Sequence, residues 1–93
     1  MKSEKISIRK QKESLYNYLR GIKETSACAD CQIRYPYYVM DFDHVRGKKQ
    51  SNVMELVSTL DKVKIDAEIA KCEIVCSNCH RIRTHNRKEK KIA

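Results

Sequence analysis

Four of the five cysteines occur in two Cys-x-x-Cys pairs, Cys28/Cys31 and Cys76/Cys79. Two intervening residues let both thiolates of a pair face one tetrahedral ion at about 2.3 Å, while backbone N–H groups of the turn point at the sulfurs. A single pair would also suit a redox dithiol. Two pairs of equal spacing favour a structural zinc with four thiolates and no coordination position open for chemistry. Cys72 is then a spare buried thiol, or alternatively pairs with Cys76.

An acid and two imidazoles lie beside these pairs. His44 follows Asp43 at the end of an apolar run, and His80 directly follows Cys79. Carboxylate and imidazole bind divalent ions, and a histidine accepts a proton near neutral pH. Adjacent strand residues point to opposite faces, so Asp43 and His44 serve one site only if the strand twists or ends there. His85, five residues after His80, is interpreted first as a surface histidine and second as a ligand.

The net charge of +8 is concentrated at the two ends of the chain. Residues 1–24 contain seven Lys/Arg and three Glu, residues 25–70 six Lys/Arg and seven acids, and residues 71–93 seven Lys/Arg and two Glu. Two basic ends around a near-neutral middle favour a polyanionic partner. A basic face that is only solvated is the alternative, so charge alone does not decide the function.

A chain of 93 residues is predicted to form one domain, and a domain this small benefits from a metal as a staple. Residues 1–12 are charged and no apolar segment follows them, which argues against a secretory leader. No stretch approaches the ~20 apolar residues of a membrane span. Together with the zinc-like cysteine spacing, these features predict a reducing cytoplasm and no membrane partner.

The first half of the sequence predicts one helix and one strand. Apolar residues at helical spacing predict a helix over residues 4–23, either packed on a small core or, as the alternative, contacting DNA backbone. A tyrosine-rich run predicts a strand over residues 35–44, in which Val39, or Met40 and Phe42, would face the core. Its tyrosines are interpreted as packing residues first and base-stacking residues second.

The second half predicts two helical segments, a strand and a basic helix. Asn52, with Glu55 three residues later, predicts a capped helix, and residues 65–70 a short helical turn. The apolar face of the capped helix would contain Val53, Leu56, Val57 and Leu60. Residues 73–75 predict a strand running into Cys76, and residues 77–91 a basic helix that frays toward Ala93.

With its motifs and predicted elements in this order, the chain resembles the HNH endonuclease family, in the form common among phage and bacterial proteins. The resemblance covers about residues 28–87 and is carried by Phe42-Asp43-His44 and by Cys76-x-x-Cys79-His80-x-x-Arg83-Thr84. It implies an α+β chain with a small ββα-metal (HNH, or His-Me finger) fold, an N-terminal helix, an inserted helix and a four-cysteine zinc site. Residues 1–93 would form one nuclease domain: a basic helix over 1–24, the zinc-braced core over 28–87 and a frayed basic tail over 88–93.

The resemblance also implies roles for individual residues. His44 would be the general base, while Asp43 and His80 would hold one catalytic divalent ion. Mg²⁺ or Mn²⁺ suits the carboxylate, and the nitrogen ligand also allows Ni²⁺ or Zn²⁺. Arg83, three residues after His80 on the predicted helix, is the candidate phosphate clamp. Further candidate DNA-binding residues on this helix are Arg81, Arg87 and Lys88.

One position departs from the family pattern. An asparagine about five residues before the second cysteine pair usually ties the loop between the two strands, and this chain has Lys71 there. Asn52 and Asn78 are candidate substitutes.

The predicted function is a metal-dependent DNA endonuclease that nicks or cuts duplex DNA in a bacterial or phage-infected cytoplasm, with sequence specificity supplied by a companion protein where it is needed. The alternative is a non-catalytic, zinc-ribbon-like module that binds nucleic acid or another protein.

Overall fold

A computed structural model of the protein describes residues 7–92, with side chains described for residues 7–90. Two strands and three α-helices make a small α+β chain, as the sequence predicts. The elements are α1 (Ile8–Glu24), a first 3-10 helix (Tyr37–Val39), β1 (Met40–His44), a second 3-10 helix (Val53–Thr59), α2 (Lys62–Ile69), β2 (Cys72–Cys76) and α3 (Ser77–Ile92). Residues 4–6 of the predicted first helix and Ala93 at the predicted frayed end lie outside the described residues.

Helix α1 packs on the core with one apolar face. The Ser7 hydroxyl caps it by accepting from the Lys10 N–H at 3.2 Å. Leu19 is fully buried, and Leu15 and Tyr16 pack against the same cluster. The predicted packing role of this helix is therefore confirmed.

Strands β1 and β2 form an antiparallel pair in which Met40 faces Cys76 and His44 faces Cys72. The predicted strand was too long at its start. Pro36 fixes its own φ and begins a 3-10 turn, closed by a 3.0 Å bond from the Val39 N–H to the Pro36 carbonyl. Pairing therefore starts only at Met40, whose side chain is buried as predicted.

The two faces of the sheet contact different parts of the chain. Asp41, Asp43 and Glu73 point toward α3, where they bond its basic side chains. Phe42 and Cys72 belong to the opposite face and pack on the cluster formed with α1 and α2. The face toward α3 thus carries the strand carboxylates, and Phe42 and Cys72 make apolar contacts on the opposite face.

The inserted segment after β1 is a 3-10 helix and not the predicted capped α-helix. The Asn52 side chain makes no cap bond, and Leu60 adopts left-handed backbone with φ of 56°. The hydroxyls of Ser58 and Thr59 bond back to carbonyls three residues earlier, at 2.9 and 2.7 Å, which competes with α-helical bonding. Val53 and Val57 are nevertheless buried, as the predicted apolar face required.

Helix α2 begins earlier than the predicted turn over residues 65–70. The Asp61 carboxylate accepts from the N–H groups of Val63 and Lys64 at 3.0 and 3.3 Å, so the helix starts at Lys62. Its inner face buries Ile65 and Glu68. Strand β2 runs directly into α3, in agreement with the predicted strand and basic helix.

No helix among the described residues is long and apolar enough to cross a membrane.

Candidate metal centre and histidine cleft

The four paired cysteines meet in one cluster. The ligand sulfurs of Cys28, Cys31, Cys76 and Cys79 all lie within 4.8 Å of one another. A tetrahedral zinc with bonds of about 2.3 Å separates its sulfurs by about 3.8 Å, so this arrangement fits the ion. The N–H groups of Cys31 and Cys79 point at the sulfurs of Cys28 and Cys76, at 3.5 and 3.4 Å. These bonds favour the thiolate form and confirm the predicted knuckle geometry.

Backbone bonds hold the first cysteine pair in place. The Gln32 N–H bonds the Cys28 carbonyl at 2.9 Å, and Gln32 takes left-handed backbone with φ of 65° to close the turn. The Ala29 N–H then bonds the Ile74 carbonyl of β2 at 2.9 Å. The first pair is thereby fixed against the strand that leads into the second.

Cys72 lies outside this cluster. Its thiol donates to the Glu68 carbonyl at 3.4 Å. Burial, reinforced by the negative charges of Glu68 and Asp43, raises the pKa of Cys72 to about 11. It is a half-buried neutral thiol, which agrees with the predicted spare cysteine.

The structure brings Asp43 and His80 together on the α3 face of the sheet. His80 Nε2 lies 3.5 Å from Asp43 Oδ1. His80 Nδ1 lies 2.9 Å from Asp41 Oδ2, so an ionised Asp41 selects the tautomer that carries its proton on Nδ1. Asp41 was not among the predicted site residues. Its position two residues before Asp43, on the same strand face, is the signal that would have identified it.

Asp43 is almost completely buried, at 4% exposure, and two arginines of α3 surround it. Arg83 donates to its Oδ2 at 2.9 Å, while Arg87 donates to Oδ1 at 2.9 Å and to Oδ2 at 2.8 Å. Burial by itself would raise the pKa of Asp43, but these two guanidinium groups outweigh it and lower the pKa to about 2. Asp43 is therefore ionised at neutral pH.

Arg83 joins three parts of the chain. It makes a two-bond contact with Asp30 of the first knuckle, at 2.6 and 2.7 Å, and also bonds Glu73 of β2 at 2.8 Å. Hydrogen bonding to Asp30 is the main cause that raises the pKa of Arg83. The predicted phosphate clamp is thus placed between carboxylates.

The other predicted DNA-binding residues differ from Arg83 in exposure. The Arg87 side chain is 49% exposed even while it bonds Asp43. Arg81, Lys88 and His85 are exposed, and none of the three forms an ion pair within residues 7–90.

His44 belongs to the opposite face of the strand, where it meets an acid of α2. His44 Nε2 lies 2.8 Å from Glu68 Oε2. Glu68 is only 3% exposed and also accepts from the Gln50 N–H at 3.0 Å and from Lys71 Nζ at 3.1 Å. Burial alone would raise the pKa of Glu68, but the Gln50, Lys71 and His44 bonds lower it to about 2. Sequence spacing gave no sign of this partner, because Glu68 lies 24 positions after His44.

Lys71, at the position of the missing asparagine, ties down the loop that follows His44. Its ammonium donates to the Lys48 carbonyl at 2.7 Å. Its own carbonyl accepts from the N–H groups of Val45 and Arg46 at 2.8 and 3.2 Å. The lysine itself, and neither Asn52 nor Asn78, makes these loop contacts.

The two histidines face one open cleft of about 470 Å³, here called the histidine cleft. Asp41 and His80 lie on its α3 side, and His44 lies where β1 ends. Asn52 and Glu55 contribute walls on the opposite side, with Lys23 of α1 nearby. Because the strand ends at His44, side chains from both faces of β1 reach the same cleft.

Within residues 7–90, only the cysteine cluster brings three or more His, Cys, Asp or Glu ligand atoms within 4.8 Å of one another. Asp43 and His80 form a two-residue pair beside it. Comparison of the chain with protein-family models, with curated proteins and with solved structures finds no match.

Proposed function

We propose that this chain is a metal-dependent DNA endonuclease of the HNH type, with His44 as general base and Asp43 and His80 as ligands of one divalent ion. The observation that carries the proposal is the 3.5 Å approach of His80 Nε2 to Asp43 Oδ1 beside a cleft that also contains His44. A carboxylate oxygen and an imidazole nitrogen at this separation fit two ligands of one ion at about 2.0–2.2 Å from each. The zinc cluster, with four thiolates, has a structural role only.

The Asp43 carboxylate can still bind such an ion although two arginines donate hydrogen bonds to it. Oδ2 accepts two hydrogen bonds, whereas Oδ1, the oxygen nearest His80, accepts one. A carboxylate oxygen has two lone pairs, so Oδ1 retains one for a metal. When bound, Mg²⁺, Mn²⁺ or Ni²⁺ would supply Lewis acidity at the phosphate and stabilise the leaving oxygen.

His44 would take the proton from the attacking water. The water oxygen forms a bond to phosphorus, the bond from phosphorus to the 3′-oxygen breaks, and the water proton passes to the imidazole. Because ionised Glu68 accepts only, His44 Nε2 carries the proton of their 2.8 Å bond and Nδ1 is the free basic nitrogen. Glu68 also stabilises the imidazolium that forms, as the acid of a catalytic triad does.

Cleavage of supercoiled plasmid by zinc-loaded protein tests the proposal. Mg²⁺, Mn²⁺ and Ni²⁺ are added separately to protein dialysed against metal-free buffer. His44→Ala is expected to lower the cleavage rate by at least about a hundredfold, since a positioned general base contributes that much or more. His85→Ala is the matched control, because this histidine is exposed and outside the cleft. The proposal fails if no ion supports cleavage, or if His44→Ala cuts as fast as His85→Ala.

Glu68→Gln tests the positioning of His44. The amide keeps the size of the side chain but no longer selects one tautomer or stabilises the imidazolium, so we expect kcat to fall about tenfold with KM unchanged. Glu55→Gln removes the same charge from the opposite wall of the cleft and is expected to leave kcat within about twofold. Equal kcat values for the two variants would show that Glu68 has no role in orienting His44.

One observation favours the alternative of a non-catalytic zinc-ribbon-like module. Arg83 and Arg87 already neutralise Asp43, so this pocket is electrostatically satisfied without a second metal. Calorimetric titration of Mn²⁺ into zinc-loaded protein separates the two functions. If the chain is a nuclease, it binds a further ion, and Asp43→Asn abolishes that binding. If the chain is a non-catalytic module, it binds DNA or protein without a second ion.

A further inference from the structure

A second hollow adjoins the histidine cleft and is here called the tyrosine pocket. Its volume is about 270 Å³, and Tyr37, Tyr38 and Arg20 form the side away from the cleft. Lys23, Asp41 and Met54 line both spaces. The two spaces therefore adjoin at these three side chains, and together they are here called the groove.

The aromatic wall of this pocket is fixed in orientation. The Arg20 guanidinium lies 4.8 Å from the centre of the Tyr37 ring, which holds that ring against α1. Tyr38 stands edge-on to Tyr37, with ring centres 5.5 Å apart and an angle of 86° between the planes. The Tyr38 residue is 75% exposed. An exposed ring that lines the pocket and is supported by a neighbouring ring is suited to stacking on a planar partner.

The tyrosine pocket has two cationic side chains, Arg20 and Lys23, and one acidic one, Asp41, which favours an anionic partner. Neither Arg20 nor Lys23 has a carboxylate within 4.0 Å in the described part of the chain. Lys23 instead lies 5.1 Å from the centre of the Phe42 ring. Burial lowers the pKa of Lys23, and the negative charge of Asp41 only partly opposes this. A phosphate here would supply the anion that both cations lack.

We propose that the tyrosine pocket binds an unpaired nucleotide of a DNA strand, with its base stacked on Tyr38 and its flanking phosphates near Arg20 and Lys23. Bases inside a duplex are stacked on each other and offer no free face to a protein ring. The site therefore selects DNA with a single-stranded stretch, such as an overhang or a branch, over intact duplex. This inference rests on the proposed nuclease function, since the groove carries that strand onward to His44 and His80.

Binding measurements on the zinc-loaded protein, with no other divalent ion added, test this site. Binding is followed by the fluorescence anisotropy of a dye-labelled strand, a signal that does not depend on the tyrosine that is changed. Three ligands of equal length are compared: a single strand, the same strand with abasic sites, and a blunt duplex. We expect the single strand to bind tightest and Tyr38→Ala to weaken its binding about tenfold, while binding of the abasic strand changes less than about twofold.

Two control variants separate stacking from general effects. Tyr38→Phe keeps the ring and is expected to bind the single strand as the native protein does. Val63→Ala removes an equally exposed apolar side chain of α2, outside the groove, and is expected to leave binding of the single strand unchanged.

Two results would overturn the inference: equal affinity for the single strand and the abasic strand, or an equal loss on both ligands in Tyr38→Ala. Because the measurement is binding without catalysis, it decides the site whether or not the protein cleaves plasmid.

Discussion

Cys79→Ser is expected to leave the chain largely unfolded at 25 °C. Cys28, Cys76 and Cys79 are themselves members of the buried cluster around Met40 and Val75, so the metal site and one of the two cores coincide. Structural zinc contributes about 10–16 kcal/mol in small zinc domains, as much as the whole stability of a typical domain. Because three sulfurs hold such an ion more weakly than four, we expect the loss of one thiolate to remove a large part of this free energy.

Zinc content and far-ultraviolet circular dichroism measure this effect. Cys72→Ser is the matched control, since it replaces a thiol outside the zinc cluster and a serine hydroxyl can donate to the same Glu68 carbonyl. We expect Cys72→Ser to retain one zinc per chain and a cooperative thermal transition. A Cys79→Ser protein with the same zinc content and the same transition would show that the cluster does not hold the fold.

Arg83→Met is expected to lower the free energy of unfolding by about 3 kcal/mol, although the sequence predicts a residue that contacts DNA. Only 18% of the Arg83 side chain is exposed, and its removal leaves three carboxylates without this partner. Loss of the Asp43 contact costs most, because Asp43 is buried and Arg87 is then the one arginine among the described residues that still bonds it. Breaking a buried ion pair from one side costs about 3–5 kcal/mol, and the remaining arginine places this case at the lower end.

Urea unfolding of zinc-loaded protein provides the measurement for Arg83. Arg81→Met, which removes an exposed arginine without an ion pair in the described chain, is expected to change stability by less than about 0.5 kcal/mol. Adding Asp43→Asn to Arg83→Met should recover part of the loss, since the buried charge is then gone. Equal stability of the two arginine variants, with weaker DNA binding only in Arg83→Met, would instead establish the predicted phosphate clamp.

The four-cysteine cluster could be predicted from sequence because its geometry is local. Each Cys-x-x-Cys pair fixes two ligands within one turn, and the only long-range requirement is that the two turns meet. The strand before Cys76 and the basic helix after it could also be predicted, because the signals for both are local in the sequence. Local signals failed where neighbouring groups compete. Pro36 begins a 3-10 turn where the strand was predicted, and the predicted α-helix after Asn52 is a 3-10 helix in which the hydroxyls of Ser58 and Thr59 bond backbone carbonyls.

The partners of the predicted site residues follow from tertiary packing. Glu68 reaches His44 because α2 docks on the sheet, and no spacing along the chain expresses that contact. Lys71 attaches the loop that follows His44, a role for which Asn52 and Asn78 were the predicted candidates, through a longer side chain that no short motif would specify. Asp41, in contrast to Glu68 and Lys71, could have been identified from the sequence, because it lies two residues before Asp43 on the same strand face.

The four-cysteine cluster also joins two segments that are far apart in the chain. Cys31 and Cys76 are 45 positions apart, and closing a flexible loop of that length costs about 3 kcal/mol of chain entropy. A zinc ion bound first by one cysteine pair would tether the other pair and confine the intervening chain before the strands pair. We therefore expect zinc to act as an early cross-link between distant segments, so that the chain folds faster when zinc is present.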